Sequence, residues 1–202
     1  MNQLNEDGTH FRKLTSGDLG QVSRIHSEEL PDDFISLLGE TFLRDNFYPG
    51  LLKTADVALC GVHQGTITGF VVFSSDETFF SRLALDHWSA LLRYSYTRLL
   101  QLKFLRYLFE VLLLLLVNDN RLRGPELVYI AVSRTWARKG LGSAMTRTAL
   151  LDLHRSGVEM CWVKTLKKTP QNISFYESMG FQILKTYLGR TYMTIRLDRL
   201  IK

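Results

Sequence analysis

The sequence predicts a mixed α/β (α+β) fold, with a mostly antiparallel central sheet flanked by helices. Three observations carry that prediction. Residues 127–132 form an unbroken apolar run, the pattern of a strand covered on both faces, and they lead through a basic turn with two glycines into a helical repeat. Two further pairs of strand-like runs, 55–62 with 66–73 and 181–187 with 191–197, are joined by short turns containing Gly65 and Gly189, which reads as two hairpins and therefore antiparallel pairing. Helical patterns fall between the strands in an irregular order, which argues against a simple doubly wound sheet.

Taken in order, 10–14 is a first strand, and Thr15-Ser16-Gly17-Asp18 can cap a helix running through Val22 and Ile25. Leu30-Pro31-Asp32-Asp33 opens a second helical stretch, with Phe34, Leu37, Leu38 and Phe42 at helical spacing. The hairpin at 55–73 follows. A helix spans Leu141 to Arg155, a strand 159–166, and Pro170 starts a helix that stops at Gly180. With 202 residues the chain can bury a substantial core as one domain, 1–202.

A charged fraction of 22% and a hydrophobic fraction of 46% are those of an ordinary soluble globule. The net charge of +5 is spread along the chain, with no arginine-rich tail and no nucleic-acid-binding motif, so nucleic acid is not an expected partner. Cys60 and Cys161 sit in apolar strand-like runs and read as buried free thiols; no cysteine pair has metal-ligand spacing. His10, His26, His63, His87 and His154 likewise lack metal-ligand spacing. The first residues carry no apolar signal segment, and the expected location is the cytoplasm.

Residues 79–120 stand apart: without Pro or Gly, they read as one or two helices inserted between the third and fourth strands. Lys103, Arg106 and Glu110 share one narrow face, with apolar residues nearly all round the rest. A membrane span needs roughly 20 mostly uncharged residues, more than this stretch supplies. A helix buried internally or in a dimer, a lid, and peripheral membrane contact all fit the pattern.

The turn Arg138-Lys139-Gly140-Leu141-Gly142 carries the chemistry. Glycines let backbone approach a ligand closely, and the free N–H groups of a helix start, with two cations beside them, suit an anion such as a phosphate. Neither the Walker pattern nor the dinucleotide fingerprint fits, because the required lysine-hydroxyl pair and third glycine are missing. An ordinary tight turn between strand and helix remains the alternative reading of this window.

Three windows in the second half, ELVYIAV, RKGLGSAM and NISFYESMGF, resemble the fourth strand, the pyrophosphate loop and the last helix and turn of the GNAT superfamily of acetyl-CoA-dependent N-acyltransferases. They come in the right order and spacing. The resemblance covers residues 126–197 strongly and the hairpin at 55–73 well. It departs at Ala137, which stands where the family usually has Gln or Arg, and Arg138 or Lys139 is the candidate substitute for that charge.

The resemblance implies a GNAT-like sheet and direct transfer of an acetyl group from acetyl-CoA to an amine. It implies that backbone at Ile130, Ala131 and Val132 pairs with the pantetheine amides. Arg138, Lys139, Gly140, Leu141, Gly142, Ser143 and Ala144 would hold the pyrophosphate, with Asn172 contacting the cofactor. Tyr176, a phenol ordinarily near pKa 10, would protonate the departing thiolate, and Glu126 would act as general base. The expected acceptor is a small-molecule amine such as an amino sugar or sugar nucleotide, with the insertion as a wall of its site. The alternatives are a protein or peptide N-acetyltransferase and a GNAT-like module without catalysis, binding CoA or docking to a membrane or partner. A monomer and a homodimer are both compatible with the sequence.

Overall fold

The computed structural model describes residues 8–87, 89 and 122–199. In chain order its main elements are β1 (His10–Lys13), α1 (Leu19–Glu29), α2 (Glu40–Phe42), α3 (Tyr48–Thr54), β2 (Ala55–His63), β3 (Thr66–Ser74), α4 (Phe79–Asp86), β4 (Glu126–Val132), α5 (Leu141–Arg155), β5 (Met160–Leu166), α6 (Pro170–Ser178), β6 (Gln182–Tyr187) and β7 (Arg190–Arg196). The helical reading of 79–120 is met at α4; its face of Lys103, Arg106 and Glu110 lies outside the described residues. The chain divides into two compact units, one of residues 1–14, 54–76 and 121–202, the other of 15–53 and 77–120.

The first unit is a seven-stranded sheet in the order β1-β2-β3-β4-β5-β7-β6. Every neighbouring pair is antiparallel except β4 with β5. Both predicted hairpins form. Their two-residue turns hold Gln64 and Gly65 at φ 48° and 79°, and Leu188 and Gly189 at 46° and 72°. Two left-handed residues in succession give the turn whose twist matches that of the strands it joins.

Helix α5 supplies the core of this unit. Leu141, Met145, Ala149, Leu150 and Leu153 fall on one face and pack with Leu59, Val71, Phe73, Leu127, Cys161 and Val163 from the sheet. Each buried side chain of this size contributes about 2 kcal/mol through loss of apolar surface to water. The helix ends in two backbone bonds, Val158 N–H to Leu153 O (3.1 Å) and Gly157 N–H to His154 O (2.9 Å), which Gly157 permits at φ 86°. Cys60 and Cys161 are buried free thiols, as their runs predict. Burial pushes the Cys161 thiol up to about 12, with the charge of Asp56 adding to the shift.

In the second unit the residues predicted to cap α1 form a 3-10 turn at Ser16–Asp18 ahead of it, in which Asp18 accepts hydrogen bonds from the Thr15 N–H and hydroxyl at 2.8 Å each. His26, fully buried on α1, lies 2.6 Å by Nδ1 from the Tyr48 hydroxyl and 3.4 Å by Nε2 from Asp33. The predicted second helix is not continuous. Gly39 at φ 94° breaks it, leaving a 3-10 turn at Ser36–Leu38 before α2, a π turn at Leu43–Phe47 and α3. Helical spacing of apolar residues does not reveal such a break, because both sides of it still face the same core.

Candidate active site

The site begins where two strands part. β4 pairs with β3 from Glu126↔Ser74 to Val132↔Gly69, but with β5 only at Glu126↔Trp162. Its register with β3 passes from Leu127↔Phe73 to Tyr129↔Val72, so Val128 is the extra residue of a bulge. A bulge bends its strand and sharpens the twist, and this one lies just past the last contact with β5.

Beyond it, the direction of the backbone groups follows from one bond. The Ser133 N–H donates to Thr68 O at 2.9 Å, so by the alternation of an antiparallel ladder Ala131 also points its amide toward β3, while Ile130 and Val132 point theirs the other way, toward the split. The strand predicted to be covered on both faces is therefore half open. Leu127 and Ala131 are buried, whereas Val128, Tyr129, Ile130 and Val132 are only partly so.

The glycine turn sits against this open half. Gly140, at φ 74°, forms the N-cap of α5 in the left-handed region, and a Cβ there would meet nothing within 4 Å, so the backbone angle alone calls for glycine. A Cβ on Gly142 would lie 3.5 Å from Val132, 3.8 Å from Ile130 and 3.9 Å from Phe175, which seats the first turn of α5 between β4 and α6. The Ala144 N–H already bonds Gly140 O at 2.9 Å. The N–H groups of Leu141, Gly142 and Ser143 precede the helix ladder and have no acceptor within it.

Ala137 is extended, at φ −64° and ψ 151°, and Arg138 is left-handed at φ 61°. Lys139 lies with Nζ 4.7 Å over the Trp136 ring, which itself stacks on His63 at 4.7 Å. Arg138 is exposed and, among the described residues, makes no ion pair. Of the two cations, one is laid on an aromatic face and the other is available to a ligand.

Tyr176 is buried on α6 against Phe175 and Phe181. Its phenol does not keep its ordinary proton affinity. Burial pushes its pKa well above the usual value, and the charge of Glu126 raises it further. Asn172 is on the exposed first turn of α6, with Nδ2 3.4 Å from Thr165 Oγ1 on β5, and so reaches back to the sheet rather than to the glycine turn.

Glu126 begins β4 half-buried, and its Oε1 is 2.9 Å from Nζ of Lys164 on β5. Lys164 has no counterpart in the sequence reading. The signal was a lone cation in the apolar run MCWVKTL, but its partner is 38 residues earlier and on another strand. Among the described residues no group of three or more His, Cys, Asp or Glu is placed to hold a metal ion, and no helix is long and apolar enough to cross a membrane.

Residues 112–183 match the family model of the acetyltransferase (GNAT) domain. No curated protein matches by sequence. Among solved structures, the crystal structure of SsHAT superposes with a TM-score of 0.67 at 17% identity, covering 94% of this chain and 98% of its own. The ribosomal-protein-S18-alanine N-acetyltransferase from Escherichia coli gives 0.60 at 15% identity, covering 94% of each chain. The PaiA N-acetyltransferase from Thermoplasma acidophilum, in complex with coenzyme A, gives 0.58 at 13% identity over 93% of this chain and 98% of its own. At such identities the likeness to these structures is one of fold. Residues 112–183 are thus similar to the acetyltransferase (GNAT) domain, and the fold shared with these structures extends over nearly the whole chain.

Proposed function

We propose that the chain transfers an acetyl group from acetyl-CoA directly to a primary amine, in the split between β4 and β5. The observation that carries this reading is the parting of those strands after Glu126 with the start of α5 seated beside the opening. The residues there fit the donor. Outward-pointing backbone groups of Ile130 and Val132 suit the amides of an extended pantetheine arm, as an added strand would. The N–H groups of Leu141, Gly142 and Ser143 suit its pyrophosphate, and Arg138 takes over the charge that Ala137 lacks. Lys139, held on Trp136, has the lesser part, and the Ala144 amide is already committed to the helix.

Glu126 accepts the proton of the attacking ammonium. Tyr176, with its pKa pushed up, stays protonated through neutral and mildly alkaline pH, and so is always in the donor form. Full transfer from such a phenol to a thiolate of ordinary pKa near 8.5 is uphill. Its part is therefore to donate a hydrogen bond to the departing sulfur as negative charge develops there.

The acceptor we favour is a small-molecule amine, an amino sugar or sugar nucleotide, because a long insertion separates the third and fourth strands. A protein or peptide amine is the second reading, favoured by the similarity to structures of the S18-alanine N-acetyltransferase and of Ard1 from Thermoplasma volcanium. CoA release measured over amino sugars, sugar nucleotides, amino acids, polyamines and alanine-initiated peptides decides between them. The expected result is turnover with the first two classes, lost in Gly140→Asp. No thermal shift with acetyl-CoA and no CoA release with any acceptor would overturn the whole reading.

A further inference from the structure

We propose that Lys164 is an acetylation site of this chain, modified by its own cleft. The inference rests on the proposed acetyl-CoA reading. Lys164 already stands where an acceptor amine would stand, with its Nζ 2.9 Å from Oε1 of Glu126, the carboxylate placed to take an amine proton. Its side chain keeps 29% of its surface exposed, so the amine is neither sealed in the core nor lost to solvent.

The strand register places this amine along the path of the donor. β4 and β5 start out parallel at Glu126↔Trp162 and then part, so Lys164, two residues beyond Trp162, stands across the opening from the stretch of β4 between Glu126 and Ile130. Ile130 is then two residues further along, roughly 7 Å, comparable to the reach of a flexible four-carbon stem. Lys164 alternates with the buried Val163 and Thr165, which face the core beneath α5 and α6. Its side chain leaves the sheet on the opposite face, so amine and donor approach the split from its two sides. Lys139, Lys164 and Lys185 all lie over rings, those of Trp136, Trp162 and Tyr192, so what sets Lys164 apart is its contact with Glu126, while Lys167 and Lys168 are exposed beyond the end of β5.

The step balances without a further reactant. The Lys164 ammonium gives one proton to Glu126 and the freed amine attacks the thioester carbonyl. An N–C bond forms and the C–S bond breaks. The second proton, lost as the nitrogen becomes an amide, ends on the CoA sulfur, and the proton on Glu126 passes to water. The products are Nζ-acetyl-Lys164 and CoA thiol.

The test is to incubate the intact folded chain with acetyl-CoA and follow each lysine by peptide mass spectrometry, with thermal shift reporting donor binding in parallel. The expected result is acetylation of Lys164 at least about tenfold faster than of Lys167 or Lys168, at a rate independent of protein concentration. Glu126→Gln should bring Lys164 down to the rate of the exposed lysines, and Lys164→Arg should still bind the donor but leave the other lysines unchanged. Labelling of Lys164 no faster than of Lys167 while acetyl-CoA is bound overturns the proposal, as does a rate that rises with protein concentration. The wild-type comparison decides the matter even if Glu126→Gln fails to fold. Absence of a shift with acetyl-CoA would instead overturn the donor reading itself, and this proposal with it.

Discussion

Along one edge β5 is paired with β7 from Met160↔Arg196 to Leu166↔Arg190, and along the other it touches β4 only at Glu126↔Trp162. The same strand thus has a closed seam and an open one. The closed seam is lined by fully buried residues such as Val163 and Met193, and resembles any sheet interior. The open seam leaves backbone groups pointing at nothing in the sheet, and it has around it the left-handed turn, the exposed Arg138 and the Glu126–Lys164 pair. On the proposed function, stability and chemistry fall on opposite edges of a single strand, and variants can separate the two.

The largest effect is expected at the closed seam. Met193→Ala empties a fully buried position opposite Val163 and should cost about 2–5 kcal/mol in urea unfolding, while the affinity of the remaining folded protein for acetyl-CoA stays that of the parent. A loss of affinity greater than the loss of folded protein would break the separation. At the open seam Tyr176→Phe should do the reverse: turnover at saturating acetyl-CoA falls about a hundredfold, about 2.7 kcal/mol in the barrier, with the melting temperature nearly unchanged. Unchanged turnover would remove Tyr176 from the chemistry.

Alkaline pH probes the closed seam again, through Cys161. The folded thiol holds its proton to about 12 whereas the unfolded one releases it near 9.0, so between those values the unfolded state binds fewer protons and stability falls as pH rises. The slope from this group should be about 1.4 kcal/mol per pH unit. Cys161→Ala should remove that part of the slope in urea melts taken from pH 9 upward; an unchanged slope would assign it to other groups. The smallest effects distinguish two glycines. Gly140→Ala should cost about 1 kcal/mol, since alanine resists φ 74°. Gly142→Ala should be nearly neutral for folding, its nearest neighbour being 3.5 Å away, yet weaken acetyl-CoA in a calorimetric titration. Equal binding in parent and Gly142→Ala would mean that the ligand does not approach this turn closely.

Much of this was legible in the sequence where local rules govern. Helix α5 has the predicted bounds because Gly140 and Gly157 mark its ends, and both hairpins follow from two-residue turns with glycine. The run Leu127 to Val132 was legible as a strand but not as a half-open one. Its apolar residues pack against α5 on one side and line the split on the other, and composition reads both as burial. Lys164 escaped because its meaning lies in a contact with Glu126 across two strands, and no spacing within either strand encodes it. The residues around Gly39 misled for a related reason, since the periodicity of the core continued through a break in the backbone.

The bulge at Val128 also has a consequence for the exchange of amide hydrogens with solvent. Past it, adjacent residues of one strand are locked and unlocked in turn: the amides of Ala131 and Ser133 are directed to β3, those of Ile130 and Val132 into the split. In deuterated water the free chain should therefore exchange alternate amides of β4 at rates differing by orders of magnitude, and a pantetheine arm laid along the strand should slow only the fast set. A single strand would then report its own occupancy, residue by residue, with its β3-facing amides serving as the internal standard.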